Sequence, residues 1–184
     1  MLESPAISIE QSRQEVIEMA NNCQLMMEKM RPIEESGSWT DAAAAELLQM
    51  EDHQDSMQIE FVQFMSNLLA ANVPHSVVDE ARHQIRLVDE YESISDCIAS
   101  SFKSKRHLRK HDGEMPSVER EEILDMHKRV AEFMQTVNQA YIENKPELLE
   151  GAVSTGESIT RQAKSLARKL VRRSPEDQLS PFES

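Results

Sequence analysis

Residues 87–96, with the sequence LVDEYESISD, are the stretch that decides the fold. Residues four apart lie on one face of a helix, so Glu92 and Asp96 share a face. The other residues on that face are apolar, which is typical of a buried stripe: Val78, Ala81, Ile85, Val88 and Ala99. Two carboxylates in a buried stripe cost free energy unless charge or hydrogen bonds compensate them. The stretch therefore predicts a helix that directs an acidic pair inward.

The same pattern occurs earlier in the chain, at Glu51 and Asp55. This pair shares a helical face with apolar residues as well: Ala44, Leu48, Val62, Met65 and Leu69. Two helices that each direct an E-x-x-x-D pair inward indicate a cation between them, because carboxylate oxygens suit Mg²⁺, Ca²⁺, Mn²⁺ and non-haem iron. Glu51, Asp55, Glu92 and Asp96 are therefore the predicted metal ligands. Without a cation, their mutual repulsion would favour protonation of some of them.

Composition and charge exclude several classes of protein. The chain has 184 residues and a formal net charge of −13, which argues against nucleic acid as the main partner because phosphate contacts need clustered positive charge. No apolar run approaches the roughly 18 residues that span a bilayer, and the first residues lack the apolar core of a signal peptide. Cys23 and Cys97 have neither metal-site nor disulfide spacing. We therefore expect a cytoplasmic protein with reduced cysteines.

Helix-forming residues dominate the chain, and prolines mark the apparent ends of its elements. The sequence predicts an all-α fold of five long helices. We place these helices at about residues 5–31, 41–71, 75–103, 117–141 and 146–173. Because short connections between helices favour antiparallel neighbours, we expect an up-down bundle.

The helix order divides the bundle of residues 1–173 into two parts. Residues 1–103 form a first three-helix unit, and residues 104–116 are a polar, basic connector. Residues 117–173 supply only two helices of a second, incomplete unit. The acidic, proline-punctuated segment 174–184 is expected to be a disordered tail.

The segment Tyr91–Asp96 resembles the "ERIGD" segment that closes each three-helix repeat of PhoU domains. The segment Glu51–Asp55 resembles the partner motif on the preceding helix. The similarity extends over roughly residues 10 to 173, and the second half is most similar to the C-terminal cytoplasmic region of bacterial Na⁺/phosphate cotransporters. Ser93 and Ser95 replace the Arg and Gly that usually flank the isoleucine.

The resemblance implies a non-enzymatic regulatory domain of phosphate transport. Such a domain would lie in the cytoplasm, at the inner face of the membrane, and would dock on the transporter's membrane region or on a phosphate-signalling protein. It also implies a metal site, with Fe, Zn, Mn or Mg, at Glu51, Asp55, Glu92 and Asp96. A free-standing PhoU-like regulator of phosphate uptake is the alternative. Whether a transmembrane region precedes residue 1 in the native protein would separate the two.

The second unit departs from the family pattern, because Gly156 and Thr160 stand where the helix-five carboxylates would be. No sixth helix follows, so one metal site and an open apolar groove are expected. Such a groove favours a homo-oligomer or docking on a partner.

Two further motifs leave alternatives open. Glu80 and His83 form an E-x-x-H, which in carboxylate-bundle metal enzymes occurs twice and faces inward. Here it occurs once, so an enzyme of this class is the weaker hypothesis. The basic run 103–111 is either a solvated connector or a contact with anionic lipid at the membrane surface.

Overall fold

A computed structural model describes residues 5–110 and 117–172 of the chain. These residues form five α-helices and one 3₁₀-helix, and no strand occurs among them, so the prediction of an all-α chain with five helices is confirmed. The helices are α1 (Pro5–Ser36), α2 (Asp41–Leu69), α3 (His75–Lys110), α4 (Ser117–Ile142), the 3₁₀-helix (Pro146–Leu149) and α5 (Ala152–Arg172). The predicted tail, residues 174–184, lies outside the described residues.

The chain divides into two compact units, Met1–Gly113 and Glu114–Ser184. In the first unit α1, α2 and α3 each pack against the other two helices. In the second unit α4 packs against the 3₁₀-helix and against α5. The division falls within the predicted connector, residues 104–116.

The core of the first unit is built from methionine, aliphatic and phenylalanine side chains. The largest fully buried apolar side chains include Met19, Met26, Leu47, Phe61 and Phe102. Methionine is flexible and fills irregular gaps between larger groups, which suits three long helices packed together. The methionine-rich face of α1 is therefore ordinary core.

The end of α1 differs from the prediction, which placed it at Pro32. The helix continues to Ser36 with Pro32 inside it. A proline removes the helical hydrogen bond that its own N–H would donate. In the turn after it, the hydroxyl of Ser36 makes an additional hydrogen bond to the carbonyl oxygen of Pro32 at 2.8 Å. Ile33 and Glu34 in this last turn are buried, and Glu34 forms an ion pair with Lys105 at 2.5 Å. These tertiary contacts hold the turn that the proline would otherwise end.

The predicted connector is also partly wrong, because α3 continues through residues 104–110. Phe102 is fully buried near the end of this helix, and the guanidinium of Arg109 lies 4.0 Å from the centre of the Trp39 ring. The burial of Phe102 before this segment and the contact of Arg109 with Trp39 near its end keep the segment helical. Residues 111–116 of the connector lie outside the described residues.

The predicted fifth helix is split. Pro146–Leu149 form a separate 3₁₀-helix, and α5 begins only at Ala152. Gly151 has a φ of 81°, a left-handed conformation that interrupts the helix and that glycine adopts without steric cost. Leu148 and Leu149 therefore do not belong to the apolar stripe of α5.

None of the described helices combines the length and the apolar character that are needed to span a bilayer.

Candidate metal centre

Three of the four predicted ligands lie together where α2 packs against α3. Asp55 comes from α2, and Glu92 and Asp96 come from α3. One carboxylate oxygen of each lies within 4.8 Å of one oxygen of each of the others. We refer to these three side chains as the acidic cluster. It is the one group of this kind among the described residues.

Glu51, the fourth predicted ligand, has a different partner. Its carboxylate accepts a hydrogen bond from Nζ of Lys103 at 2.9 Å, from a residue 52 positions later. The carboxylate side chain is 14% exposed, whereas the lysine side chain is 46% exposed. Glu51 is thus satisfied by a cation that the protein itself supplies, and it is not part of the cluster.

The cluster lies at the edge of the buried stripes. The sequence predicted that these carboxylates point into the core, but the buried residues are the ones that directly precede them in the chain. On α2 the fully buried line runs through Leu47, Gln54 and Phe61, next to Asp55, which is half-buried. On α3 the buried positions are Tyr91 and Ser95, whereas Glu92 is half-buried and Asp96 is exposed. A step of one residue turns a helix by about 100°. The cluster therefore keeps access to water on the side of Asp96, which lowers the cost of its charge.

The surroundings of the cluster raise the pKa of two of its members. Partial burial raises the pKa of Asp55, and the charges of Asp96 and Glu51 raise it further, although Lys103 opposes them. Partial burial likewise raises the pKa of Glu92, again with contributions from Asp96 and Asp55. Such repulsion is relieved either by a proton or by a cation.

One oxygen of the cluster has no hydrogen-bond partner. Oδ1 of Asp55 is inaccessible to solvent and accepts no hydrogen bond from the described residues. A buried acceptor without a donor costs roughly 1–3 kcal/mol. A bound cation would remove that cost, so this atom fits the role of a ligand.

The spacing of the three oxygens is compatible with a single hard cation. Two oxygens on opposite sides of a cation are separated by about 4.2 Å for Mg²⁺ and about 4.6–5.2 Å for Ca²⁺, twice the bond lengths. Separations of no more than 4.8 Å place the three oxygens close enough for side-chain rotations to bring them onto one cation, with a smaller movement for Ca²⁺ than for Mg²⁺ or Mn²⁺. The exposure of Asp96 leaves room for water ligands, which Mg²⁺ usually retains.

Buried glutamine and cysteine side chains support the cluster from inside. Nε2 of Gln54 lies 3.1 Å from both the carbonyl oxygen of Met19 and Sγ of Cys23. The thiol of Cys23 donates to the carbonyl oxygen of Tyr91 at 3.2 Å. These contacts tie α1 to the residues that precede Asp55 and Glu92 in the chain.

The glutamine positions were missed by the sequence reasoning, although a signal for them was present. Gln54 interrupts an otherwise apolar line at a spacing of seven residues, Leu47–Gln54–Phe61. A polar residue at a core position needs a buried partner. That requirement could have directed attention to Cys23, which lies on the buried face of α1.

The remaining predicted features do not form a second centre. His83 is exposed, and Glu80 accepts a hydrogen bond from Gln84 at 3.0 Å. On α5 a Cβ at Gly156 would meet Phe133 of α4 at 3.6 Å, and the hydroxyl of Thr160 donates to the carbonyl oxygen of Gly156. These α5 positions provide helix packing where carboxylates would be needed.

Comparisons of the chain with protein-family models, with curated proteins and with solved structures found no match.

Proposed function

We propose that this chain is a non-enzymatic, cation-binding regulatory domain of phosphate transport. In this proposal Asp55, Glu92 and Asp96 hold one hard divalent cation between α2 and α3. The domain is the cytosolic part of a Na⁺/phosphate cotransporter and acts by docking on its membrane region. The observation that carries the proposal is the acidic cluster, in which the structure brings together carboxylates from both acidic motifs.

The transport role depends on the motifs alone. The segments Glu51–Asp55 and Tyr91–Asp96 resemble the paired motifs of PhoU domains, and the cluster joins one carboxylate of the first to two of the second. We further propose that α1, α2 and α3 run up and down as one PhoU-like repeat. Only residues 37–40 and 70–74 connect them, and such short connections favour antiparallel neighbours.

A cation would act as a clamp between the two helices. It would remove the repulsion among the three carboxylates and join α2 to α3 through bonds that the unfolded chain does not make. A ligand that binds only the folded state stabilises it by about 2.7 kcal/mol at a concentration 100 times its Kd. Metal occupancy would then set how rigidly the first unit presents its surface to a partner.

Calorimetric titration of the chelator-treated protein with Ca²⁺, Mg²⁺, Mn²⁺, Zn²⁺ and Fe²⁺ tests the cation site. We expect saturable binding of at least one cation and a higher midpoint of thermal unfolding. Asp55→Asn and Glu92→Gln should each weaken binding on the order of 10-fold or more, since even partners of the ligands contribute that much. Glu51→Gln should change the affinity by less than about 3-fold, because Lys103 already occupies that carboxylate.

Asp79→Asn is the matched control, since Asp79 is an exposed carboxylate on α3. It should leave binding unchanged. If no cation binds, or if Asp79→Asn weakens binding as much as Asp55→Asn does, the cation site is refuted.

The docking part needs a separate measurement. The chain should co-purify with the membrane region of a bacterial Na⁺/phosphate cotransporter, and the metal-loaded form should be retained more strongly than Asp55→Asn. Absence of retention at any phosphate concentration would contradict the transport role while leaving the cation site intact.

A further inference from the structure

A second site lies in the first unit, where the beginning of α2 faces the end of α3. It is a cavity of about 370 Å³. Trp39 and Asp41 line it at the start of α2, and Arg106, Arg109 and Lys110 line it from the last turns of α3. It uses none of the carboxylates of the acidic cluster and does not depend on the cation.

The charge of this cavity is opposite to that of the whole chain. Three basic side chains face one carboxylate, Asp41, which leaves two net positive charges in a chain of formal charge −13. Within residues 5–110 and 117–172, neither Arg106 nor Lys110 has an ion pair or a hydrogen bond from its side chain. These cations therefore remain available to an anion.

The two lysines at the same helix end are already neutralised. Lys103 pairs with Glu51 at 2.9 Å, and Lys105 pairs with Glu34 at 2.5 Å. Protein carboxylates thus neutralise these two lysines, whereas Arg106 and Lys110 pair with no carboxylate in the part of the chain that the structure describes. This asymmetry distinguishes the site from a basic helix end that merely complements the helix dipole.

The cavity wall is anchored to the core. The guanidinium of Arg109 lies over the Trp39 ring, 4.0 Å from its centre. Trp39 in turn packs edge-to-face against Phe102, with ring centres 5.2 Å apart, and Phe102 is fully buried. A guanidinium stacked on a ring keeps its N–H donors directed outward in its plane. Arg109 is therefore positioned in advance to meet an anion.

The floor of the cavity is apolar. Ala44, Ala45 and Leu48 line it on α2. The volume exceeds that of a bare phosphate ion and lies in the lower part of the range of about 300–1,000 Å³ that is typical of small-molecule sites. The ligand that fits this lining has an anionic end and an apolar or aromatic end.

We propose that this cavity binds a phosphomonoester that carries a compact apolar or aromatic group. A phosphomonoester is largely a dianion at neutral pH, which matches the two net positive charges of the lining. Its oxygens accept paired N–H donors from arginine. The organic group lies on Ala44, Ala45 and Leu48. The same chemistry occurs in free phosphorylated metabolites and in the headgroup of phosphatidic acid.

Fluorescence titration with phenyl phosphate tests the proposal, because Trp39 is the single tryptophan of the chain and lines the cavity. We expect a saturable change in Trp39 emission. Arg106→Gln should weaken binding by about 10-fold, since it removes a positive charge and the N–H donors that a phosphate oxygen accepts. Arg86→Gln, an exposed arginine elsewhere on α3, is the matched control and should have no effect.

Two comparisons identify the ligand more closely. Benzoate has the same ring with one negative charge and should bind more weakly than phenyl phosphate. Phosphatidylcholine vesicles that contain phosphatidic acid should be bound in preference to vesicles of equal charge made with phosphatidylglycerol if the monoester belongs to a lipid. A response to phenyl phosphate supports a free metabolite, and a response to phosphatidic acid vesicles alone supports the lipid.

The proposal is overturned if neither ligand changes the Trp39 emission. It is also overturned if Arg86→Gln weakens binding as much as Arg106→Gln does, or if benzoate binds as tightly as phenyl phosphate. Equal binding to phosphatidic acid and phosphatidylglycerol vesicles, without a response to phenyl phosphate, would show general charge attraction and would equally exclude the site.

Discussion

Glu51 and Asp55 are one helical turn apart on α2, yet they have different environments. Glu51 is neutralised by Lys103 at 2.9 Å. Asp55 faces the carboxylates of Glu92 and Asp96, and one of its oxygens is buried and accepts no hydrogen bond from the described residues. A single lysine on α3 decides which acidic residue is already satisfied and which remains available to a cation.

The two cysteines also have different environments. Cys23 is fully buried and Cys97 is exposed, and both are free. Burial raises the pKa of the Cys23 thiol from 9.0 to about 11, against the opposing effect of hydrogen bonds from Gln54 and the backbone of Ser95. The thiol therefore stays protonated in the folded protein at pH values where it ionises in the unfolded chain.

This difference predicts a loss of stability in alkali. Between pH 9 and about pH 11 the folded state holds the Cys23 proton while the unfolded state releases it, so the free energy of unfolding falls as pH rises through that window. The loss should reach about 2–3 kcal/mol. Urea unfolding at a series of pH values should show a shallower fall for Cys23→Ala than for the wild type.

Cys97→Ala is the control for this prediction. Because Cys97 is exposed, its removal should leave the alkaline fall as steep as in the wild type. Ellman's reagent gives an independent check, since it should react at once with one thiol of the folded protein and with the second only after unfolding. An equally steep fall in Cys23→Ala would contradict the assignment.

At the scale of the element, a glycine marks where α1 ends. Gly37 follows the last residue of α1 with a φ of 66°, and its N–H donates to the carbonyl oxygen of Ile33 at 3.0 Å. This left-handed residue closes the helix and satisfies one of its last carbonyl groups. Thr40 then caps α2 by accepting a hydrogen bond from the N–H of Ala43 at 3.1 Å.

Gly37→Ala should destabilise the first unit by about 1 kcal/mol. The added Cβ would meet no atom within 4 Å, so the cost comes from the left-handed backbone conformation alone. Urea unfolding followed by Trp39 fluorescence measures it, because Trp39 belongs to the first unit.

Gly156→Ala, inside α5, is the comparison variant, and it should have the opposite effect on stability. Its Cβ would make an ordinary contact with Phe133 at 3.6 Å, and alanine is the better helix former by about 0.5–1 kcal/mol. This variant should stabilise the second unit, as measured by the helical circular dichroism signal on heating. Effects of equal sign in the two variants would refute the conformational explanation.

At the scale of the whole molecule, the two units differ in how much they bury. Most of the buried apolar residues belong to the three helices of the first unit. In residues 118–170, the buried ones are only Glu119, Met134, Asn138 and Ala140. Val153 of α5 is 79% exposed. Two helices and a 3₁₀-helix supply little core, and isolated helices without tertiary packing are marginal in water.

The two units should therefore behave differently as separate fragments. Residues 1–113 should be helical and unfold cooperatively, whereas residues 114–184 should be weakly helical and melt without a cooperative transition. Circular dichroism of both fragments and of the full chain, with thermal melts, measures this. A fragment 114–184 with full helicity and a cooperative melt would contradict the prediction.

The sequence by itself determined the helical class and most of the breaks between helices. Apolar periodicity and the turn at Asn72–Pro74 do not depend on distant residues, so the start of α2 and of α3 agreed with the prediction. Two of the ends that failed, those of α1 and α3, are stabilised from far along the chain, whereas the late start of α5 has a local cause in Gly151. Pro32 stays helical beside Glu34, which Lys105 pairs with, and α3 extends to Lys110 beside Trp39.

The tertiary structure alone decided the details of both candidate sites. Periodicity locates a face only to within one residue, and one residue is about 100° of rotation. It could therefore group Asp55, Glu92 and Asp96, but it could not show that they lie at the edge of the core. The partners that neutralise Glu51 and hold Trp39 come from the far end of α3, and only helix packing brings such distant residues into contact.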